Sequence, residues 1–297
     1  MQTTNIVYTH KYKFHKVYIE LTNICGLTCS FCPTKESKTA TMSLELFENI
    51  LKQLQPYTKD IALHVFGDPL TLSNLEKYLD LASIYHFKIH ITTTGYYLNK
   101  FNLNTFLHKA IKQINFSLNS YNKNEMKISL LEYLNPMFKL CDLKLRNKIH
   151  SFINFRLWNL DTQNSENNFN QEIFKQLSKK FNIDLSDIDY TKSKRLDNQI
   201  LIDFDKYFKW PSLLDEKETN GYCYGLTSQI AILSNGRVVP CCLDSFGIIN
   251  LGNLKKQTLK EILFSKKSLD IVQGFQNNIA VEELCKKCTF KNRFTKI

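Results

Sequence analysis

No stretch of the 297 residues approaches the roughly 18 to 20 consecutive apolar residues of a membrane-spanning helix, so no such span is expected. The first residues, Met1-Gln2-Thr3-Thr4-Asn5, lack the basic start and apolar run of a signal peptide, and the expected location is cytoplasmic. Internal repeats and low-complexity tracts are absent. Acidic residues are outnumbered, 28 against 39 basic, which leaves a formal charge of +11. The lysines are scattered through helical segments such as Lys175 to Lys180 and belong to a vocabulary heavy in Lys, Asn and Ile. Net charge speaks to association and not to fold, so nucleic-acid binding is not expected, while an anionic substrate or partner stays open. Glycine is scarce at nine residues, yet Gly221, Gly225, Gly236, Gly247 and Gly252 crowd into one C-terminal stretch.

Cysteine, by contrast, is plentiful and clustered. Eight of the nine cysteines fall near two candidate sites and Cys141 stands alone. In a chain without an export signal, clustered cysteines bind metal more often than they form disulfides. Cys25, Cys29 and Cys32 lie in the run Asn23 to Pro33 with C-x3-C-x2-C spacing. Three thiolates on a four-iron cubane leave one iron without a protein ligand, open to a substrate or cofactor. The competing reading is a zinc loop completed by His15 or His64; zinc knuckles, however, usually pair cysteines as two C-x2-C units. His64 otherwise reads as a buried, satisfied histidine within an apolar strand.

The segment Lys16 to Thr22 alternates and is rich in β-branched and aromatic residues, so it predicts a first strand delivering the cysteine loop at its C-terminal end. Chemistry in α/β barrels sits at that end. Ser43 caps a predicted helix that Pro56 stops. Strands are expected at 61–66, 86–93, 113–119 and 149–158, with a sixth somewhere in 185–204. Helices are expected near 73–85, 103–111, 123–133 and 169–181. Strands alternating with helices argue a parallel sheet. From Trp210-Pro211 onward the chain turns loop-rich and carries five of the nine cysteines, so we expect a barrel over 1–209 and a small metal-held domain over 210–297. There Asn235-Gly236 suits a type I′ hairpin that brings Cys223 and Cys241 together, with Cys285 and Cys288 following as C-x2-C. Four thiolates suit a zinc ribbon as well as a closed iron–sulfur cluster. Cys242 is left as a spare, and Lys286, Lys287, Lys291 and Arg293 read as a solvated tail.

With Phe31 as the aromatic, the first cysteine triplet resembles the C-x3-C-x-aromatic-C signature of the radical S-adenosylmethionine (SAM) superfamily. The resemblance implies a partial (β/α)6 TIM-type barrel whose open iron chelates SAM. One electron then cleaves the sulfonium to a 5′-deoxyadenosyl radical that takes a hydrogen atom from a small-molecule or peptide substrate. The electron donor would be a protein such as a flavodoxin or ferredoxin. Gly67-Asp68-Pro69 resembles the family's G-G-E-P segment, with Asp68 bonding the SAM amino group. Thr94, in Thr93-Thr94-Gly95, stands where the family often has Thr-Asn-Gly. Ser117 and Asn119 would meet the ribose and Arg156 the SAM carboxylate. The later spacing, Cys223, Gly236, Cys241, then Cys285 and Cys288, resembles a SPASM domain in its truncated twitch form. It implies an auxiliary 4Fe-4S cluster that relays electrons. The alternative in another class is a zinc or iron–sulfur protein that recruits a partner and does no SAM chemistry.

Overall fold

The computed structural model describes residues 12–33 and 38–294. Six parallel strands run across one sheet in chain order: β1 (Lys16–Ile19), β2 (Asp60–Ala62), β3 (Lys88–Thr93), β4 (Ile111–Ser117), β5 (Phe152–Leu160) and β7 (Ile200–Lys206). The connections carry α1 (Leu44–Leu54), α2 (Leu75–Ile84), the single turn α3 (Asn119–Asn122), α4 (Leu130–Arg146) and α5 (Asn167–Phe181). β6 (Lys194–Asp197) pairs antiparallel with β7, so the segment expected to hold one strand holds two. The C-terminal part supplies β8 (Gln229–Ile232), β9 (Arg237–Val239) and β10 (Gly252–Asn253), then α6 (Leu259–Leu263), α7 (Lys266–Gln276) and α8 (Glu283–Lys286). The sheet ends at β10 on one side and β6 on the other, and is therefore a partial barrel. None of the described helices is long and apolar enough to cross a membrane.

The alternation of the strands sorts their side chains into two sets. Ile91, Ile114, Phe116, Ile153 and Phe155 are buried, and the Phe155 ring meets Phe138 of α4 and Phe181 of α5 at centroid distances of 6.4 Å. The opposite set is polar. It includes His90, Asn115, Ser117, Asn154 and Arg156, and it forms the inner face, turned away from the helices. α1 shows the same sorting on a helix: Ser43 caps it by accepting from Leu46 N at 3.1 Å, and Phe47, Ile50, Leu51 and Leu54 are fully buried. Each such side chain contributes about 1.5–3 kcal/mol.

Three local expectations are corrected. The helix expected near 123–133 begins at Leu130, because Ser129 and Glu132 form a reciprocal capping box; Pro136 rides inside it. The strand expected over 61–66 spans only Asp60–Ala62. The β8–β9 hairpin is also not type I′. That turn needs positive φ at two successive residues, and only Gly236, at +86°, has it. Gly236 N donates to Leu233 O at 2.8 Å and Leu233 N to Arg237 O at 2.8 Å, the pattern of a type I turn closed by a glycine bulge.

β8 joins the barrel sheet directly, parallel to β1 from Lys16↔Gln229 to Ile19↔Ile232. Glu20, just past β1, is 2% exposed and fastens the joint. Its carboxylate accepts from Phe66 N at 3.3 Å, Ser234 N at 3.1 Å and Ser234 Oγ at 2.9 Å.

Candidate cluster and cofactor site

The loop that follows β1 carries Cys25, Cys29 and Cys32, and two distant segments hold it. On one side Asp68 N donates to Ile24 O at 2.9 Å. Gly67 lies so close beneath the loop that a Cβ there would sit 2.1 Å from Thr22 O, so no larger residue fits. On the other side Asn124 accepts from Thr28 N at 2.9 Å and donates to Cys29 Sγ at 3.0 Å. Ser30 N donates to Lys123 O at 3.3 Å. Nothing in the sequence singled out Asn124, a polar residue in a run of polar residues.

The hydrogen bond from Cys32, helped by Asn124 and Ser120, brings the Cys29 thiol down to about 6 against the opposing effect of burial. Cys32 is correspondingly raised, with the charges of Cys29 and Cys25 adding to the effect. Three interacting sulfurs, one of them bonded by an amide, are the donor chemistry an iron–sulfur cluster requires. Among the described residues no three Cys, His, Asp or Glu converge on a single-ion site; a cubane holds its thiolates farther apart than one ion does. Phe31 lies 6.3 Å, ring to ring, from Tyr207.

The Asp68 carboxylate is engaged within the protein. Asp68 is 2% exposed. Oδ1 accepts from Leu70 N at 2.9 Å, and Oδ2 accepts from Thr94 N at 2.8 Å and from Thr93 Oγ1 and Thr94 Oγ1 at 2.9 Å each. Burial raises its carboxyl above the usual range, and these donors oppose the rise. Thr94 is spent in the same network, and its carbonyl accepts from Tyr133 Oη. The buried Pro69 opens the short turn that Asp68 caps. The Asp68 carboxylate and the two threonine hydroxyls thus form a brace. It ties the end of β3 to the turn beneath the cysteine loop.

Ser117 stands opposite Arg156 in the β4–β5 register, and Asn119 is buried at the start of α3. Arg156 faces the inner set: its charge acts on Lys16 and His64, and its guanidinium lies 4.3 Å from the centre of the Trp158 ring. Burial lowers Arg156 to about 10. His64 is enclosed but not satisfied. Its Nδ1 has no hydrogen-bond partner, and burial, with Arg156 and Lys16 nearby, lowers it to about 3.

At the other end, Cys223, Cys241, Cys285 and Cys288 come together: Cys223 and Cys285 act on Cys241, and Cys288 acts on Cys223 and Cys285. Burial raises all four, Cys223 to about 11, so ligation must release protons. Cys242 is not idle. It packs with Tyr18 of β1 against Val65, Ala231, Leu233 and Val239. The expected solvated tail is a set of braces. Lys291 is 2% exposed, with Nζ on Cys288 O at 3.3 Å and Lys286 O at 3.4 Å. Arg293 holds Asp205 through two bonds of 3.0 Å. Cys141 is buried in α4.

Residues 19–152 match the profile of the Radical SAM superfamily, and residues 223–289 match SPASM, the iron-sulfur cluster-binding domain. The chain belongs to the radical SAM superfamily and carries a SPASM-type C-terminal domain. Membership brings a SAM-binding 4Fe-4S cluster, and the second domain an auxiliary cluster. The S-adenosyl-L-methionine-dependent 2-deoxy-scyllo-inosamine dehydrogenase of Niallia circulans is 27% identical over 107 residues, 34% of this chain and 43% of that protein, so the alignment spans less than half of the relative. The fold is similar to that of BtrN in complex with AdoMet and 2-DOIA (TM-score 0.60, 16% identity, 94% of each chain). It is also similar to that of Streptococcus suis SuiB bound to S-adenosylmethionine (TM-score 0.60, 15% identity, 95% of this chain and 74% of that one).

Proposed function

We propose that the protein is a radical SAM enzyme in which Cys25, Cys29 and Cys32 hold the SAM-binding cluster and Cys223, Cys241, Cys285 and Cys288 hold the auxiliary one. The observation that carries this is the difference in ligand count. Three sulfurs leave an iron open and four close every iron. When bound, the first cluster and SAM supply a radical able to remove a hydrogen atom from an unreactive carbon. The chain's own residues do the rest. Gly67, Asp68 and Asn124 hold the cysteine loop in register with the ends of β2 and β3. The inner face, closed on one side by the joint between β1 and β8, keeps water from the reacting carbon. Arg156 and Ser117, adjacent in register, present donors toward that space. Cys223, Cys241, Cys285 and Cys288 would hold the auxiliary cluster, which would offer a place for the remaining electron, and a flavodoxin- or ferredoxin-type protein would supply the first.

The substrate is a small molecule or a peptide, the two kinds that structural neighbours are described as binding. Membership of the family speaks against a recruiting module without SAM chemistry. Anaerobically reconstituted protein should form 5′-deoxyadenosine from SAM under a strong reductant, and Cys29→Ala should not. Undiminished SAM cleavage by that variant would overturn the proposal.

A further inference from the structure

A row of aromatic rings joins the cysteine loop to the C-terminal domain, and neither set of thiolates accounts for it. Phe66, which precedes the Gly67-Asp68 turn beneath the loop, meets Trp210 with ring centroids 6.2 Å apart. Trp210 meets Phe208 at 5.6 Å, Phe208 meets Phe290 at 5.6 Å, and Phe290 meets Phe294 at 5.5 Å. Each pair is tilted or edge-on, the geometry that ring quadrupoles favour. These rings are half-buried, and they pack on one another outside the hydrophobic core. Arg293, held by Asp205, lies 4.8 Å from the centre of the Phe290 ring and fixes it in place. At the end away from the cysteine loop the row opens into a cleft of about 560 Å³, lined by Phe294, Tyr222, Asn220 and Asn278 among others. Asn220 and Asn278 are exposed there.

A ring left facing water forfeits the area it could bury, and contiguous apolar surface of this kind marks an interaction site. Rigid rings also give contact area at little cost in rotamer freedom. We propose that the row and the cleft seat an extended peptide substrate. Its side chains lie on the rings, its backbone meets the amides of Asn220 and Asn278, and one end is carried toward the cysteine loop. A side-chain amide both donates and accepts, as a peptide group does, and grooves lined with aromatic rings are a recurring way of binding extended peptides. A small molecule would cover one or two of these rings and leave the rest wet. The inference deepens the radical SAM reading and rests on it only in taking the bound chain as substrate.

The test is one of binding. Anaerobically reconstituted protein would be titrated into a fluorescein-labelled decapeptide mixture randomised at every position, and separately into the corresponding tripeptide mixture, while anisotropy is followed. We expect saturable binding of the decapeptides, roughly tenfold or more tighter than of the tripeptides, and no displacement by myo-inositol. Trp210→Ala and Tyr222→Ala should each weaken decapeptide binding about fivefold or more, the loss expected on truncating an aromatic anchor. Should Trp210→Ala fail to fold by circular dichroism, Tyr222→Ala, at the cleft, still carries the comparison. Equal binding of the two mixtures, or displacement by myo-inositol, would mark a small-molecule site and overturn the proposal. Absence of binding, or binding unchanged in the folded variants, would overturn it too. Because the readout does not involve SAM cleavage, its failure is distinguishable from failure of the enzymatic reading, which formation of 5′-deoxyadenosine tests.

Discussion

Asn124 donates its amide to Cys29 Sγ at 3.0 Å from 95 residues farther along the chain. A hydrogen bond to a cluster sulfur stabilises the reduced, more electron-rich state. Asn124→Ala should therefore lower the potential of the SAM-binding cluster by on the order of tens of mV. Potentiometric titration followed by EPR would measure it, and an unchanged potential would refute the assignment.

Gly67→Ala should empty the first site and spare the second. The added methyl would strike the Thr22 carbonyl at 2.1 Å, forcing the cysteine loop off its seat. Iron content is expected to fall from roughly eight per chain to roughly four, with the auxiliary cluster's signal retained. Full iron loading would show that the loop tolerates the shift.

Asp68→Ala should cost stability before it costs chemistry. Leu70 N, Thr93 Oγ1, Thr94 N and Thr94 Oγ1 would lose their acceptor, a penalty of about 1–3 kcal/mol. Chemical denaturation should report that loss together with weakened SAM binding. A variant as stable as the parent but unable to bind SAM would instead assign Asp68 a direct contact.

Stability should fall as the pH drops below 6.5. Burial lowers His64 to about 3 and His90 to about 4, from an ordinary value of 6.5. Between those values and 6.5 the unfolded chain binds protons that the folded chain does not, so acid favours unfolding. The loss at pH 5 should be about 1–2 kcal/mol for each histidine. Denaturant midpoints at pH 7 and pH 5 would show it, and His90→Gln should flatten the slope.

Lys291→Met should lower the auxiliary cluster's potential. The ammonium is enclosed beside Cys288, and its charge also lowers Cys223 against the effect of burial. Removing a cation beside a cluster disfavours the added electron. EPR-monitored titration should find a shift of tens of mV; equal potentials would leave Lys291 as a brace only.

The sequence by itself determined what is local. Cys25, Cys29 and Cys32 occupy eight residues, so their spacing alone assembles one donor set. Alternating strands, a Ser43 cap and a change of composition near Trp210 announced a parallel sheet followed by a cysteine-held segment. What it did not determine was anything built by register between strands or by contact across the chain. Asp68 read as a ligand contact because Gly67-Asp68-Pro69 resembles the G-G-E-P segment; its engagement with Thr93 and Thr94, delivered by the neighbouring strand, left no mark in the sequence. Lys291 read as solvated because a charge run carries no mark of the contacts that enclose it. Asn124 had no signature at all, and nothing in the sequence showed that His64 would be left unsatisfied near Arg156. Side-chain period and turn chemistry are written within a few residues, whereas the facing of β1, β2 and β5 is fixed only when the whole sheet has formed.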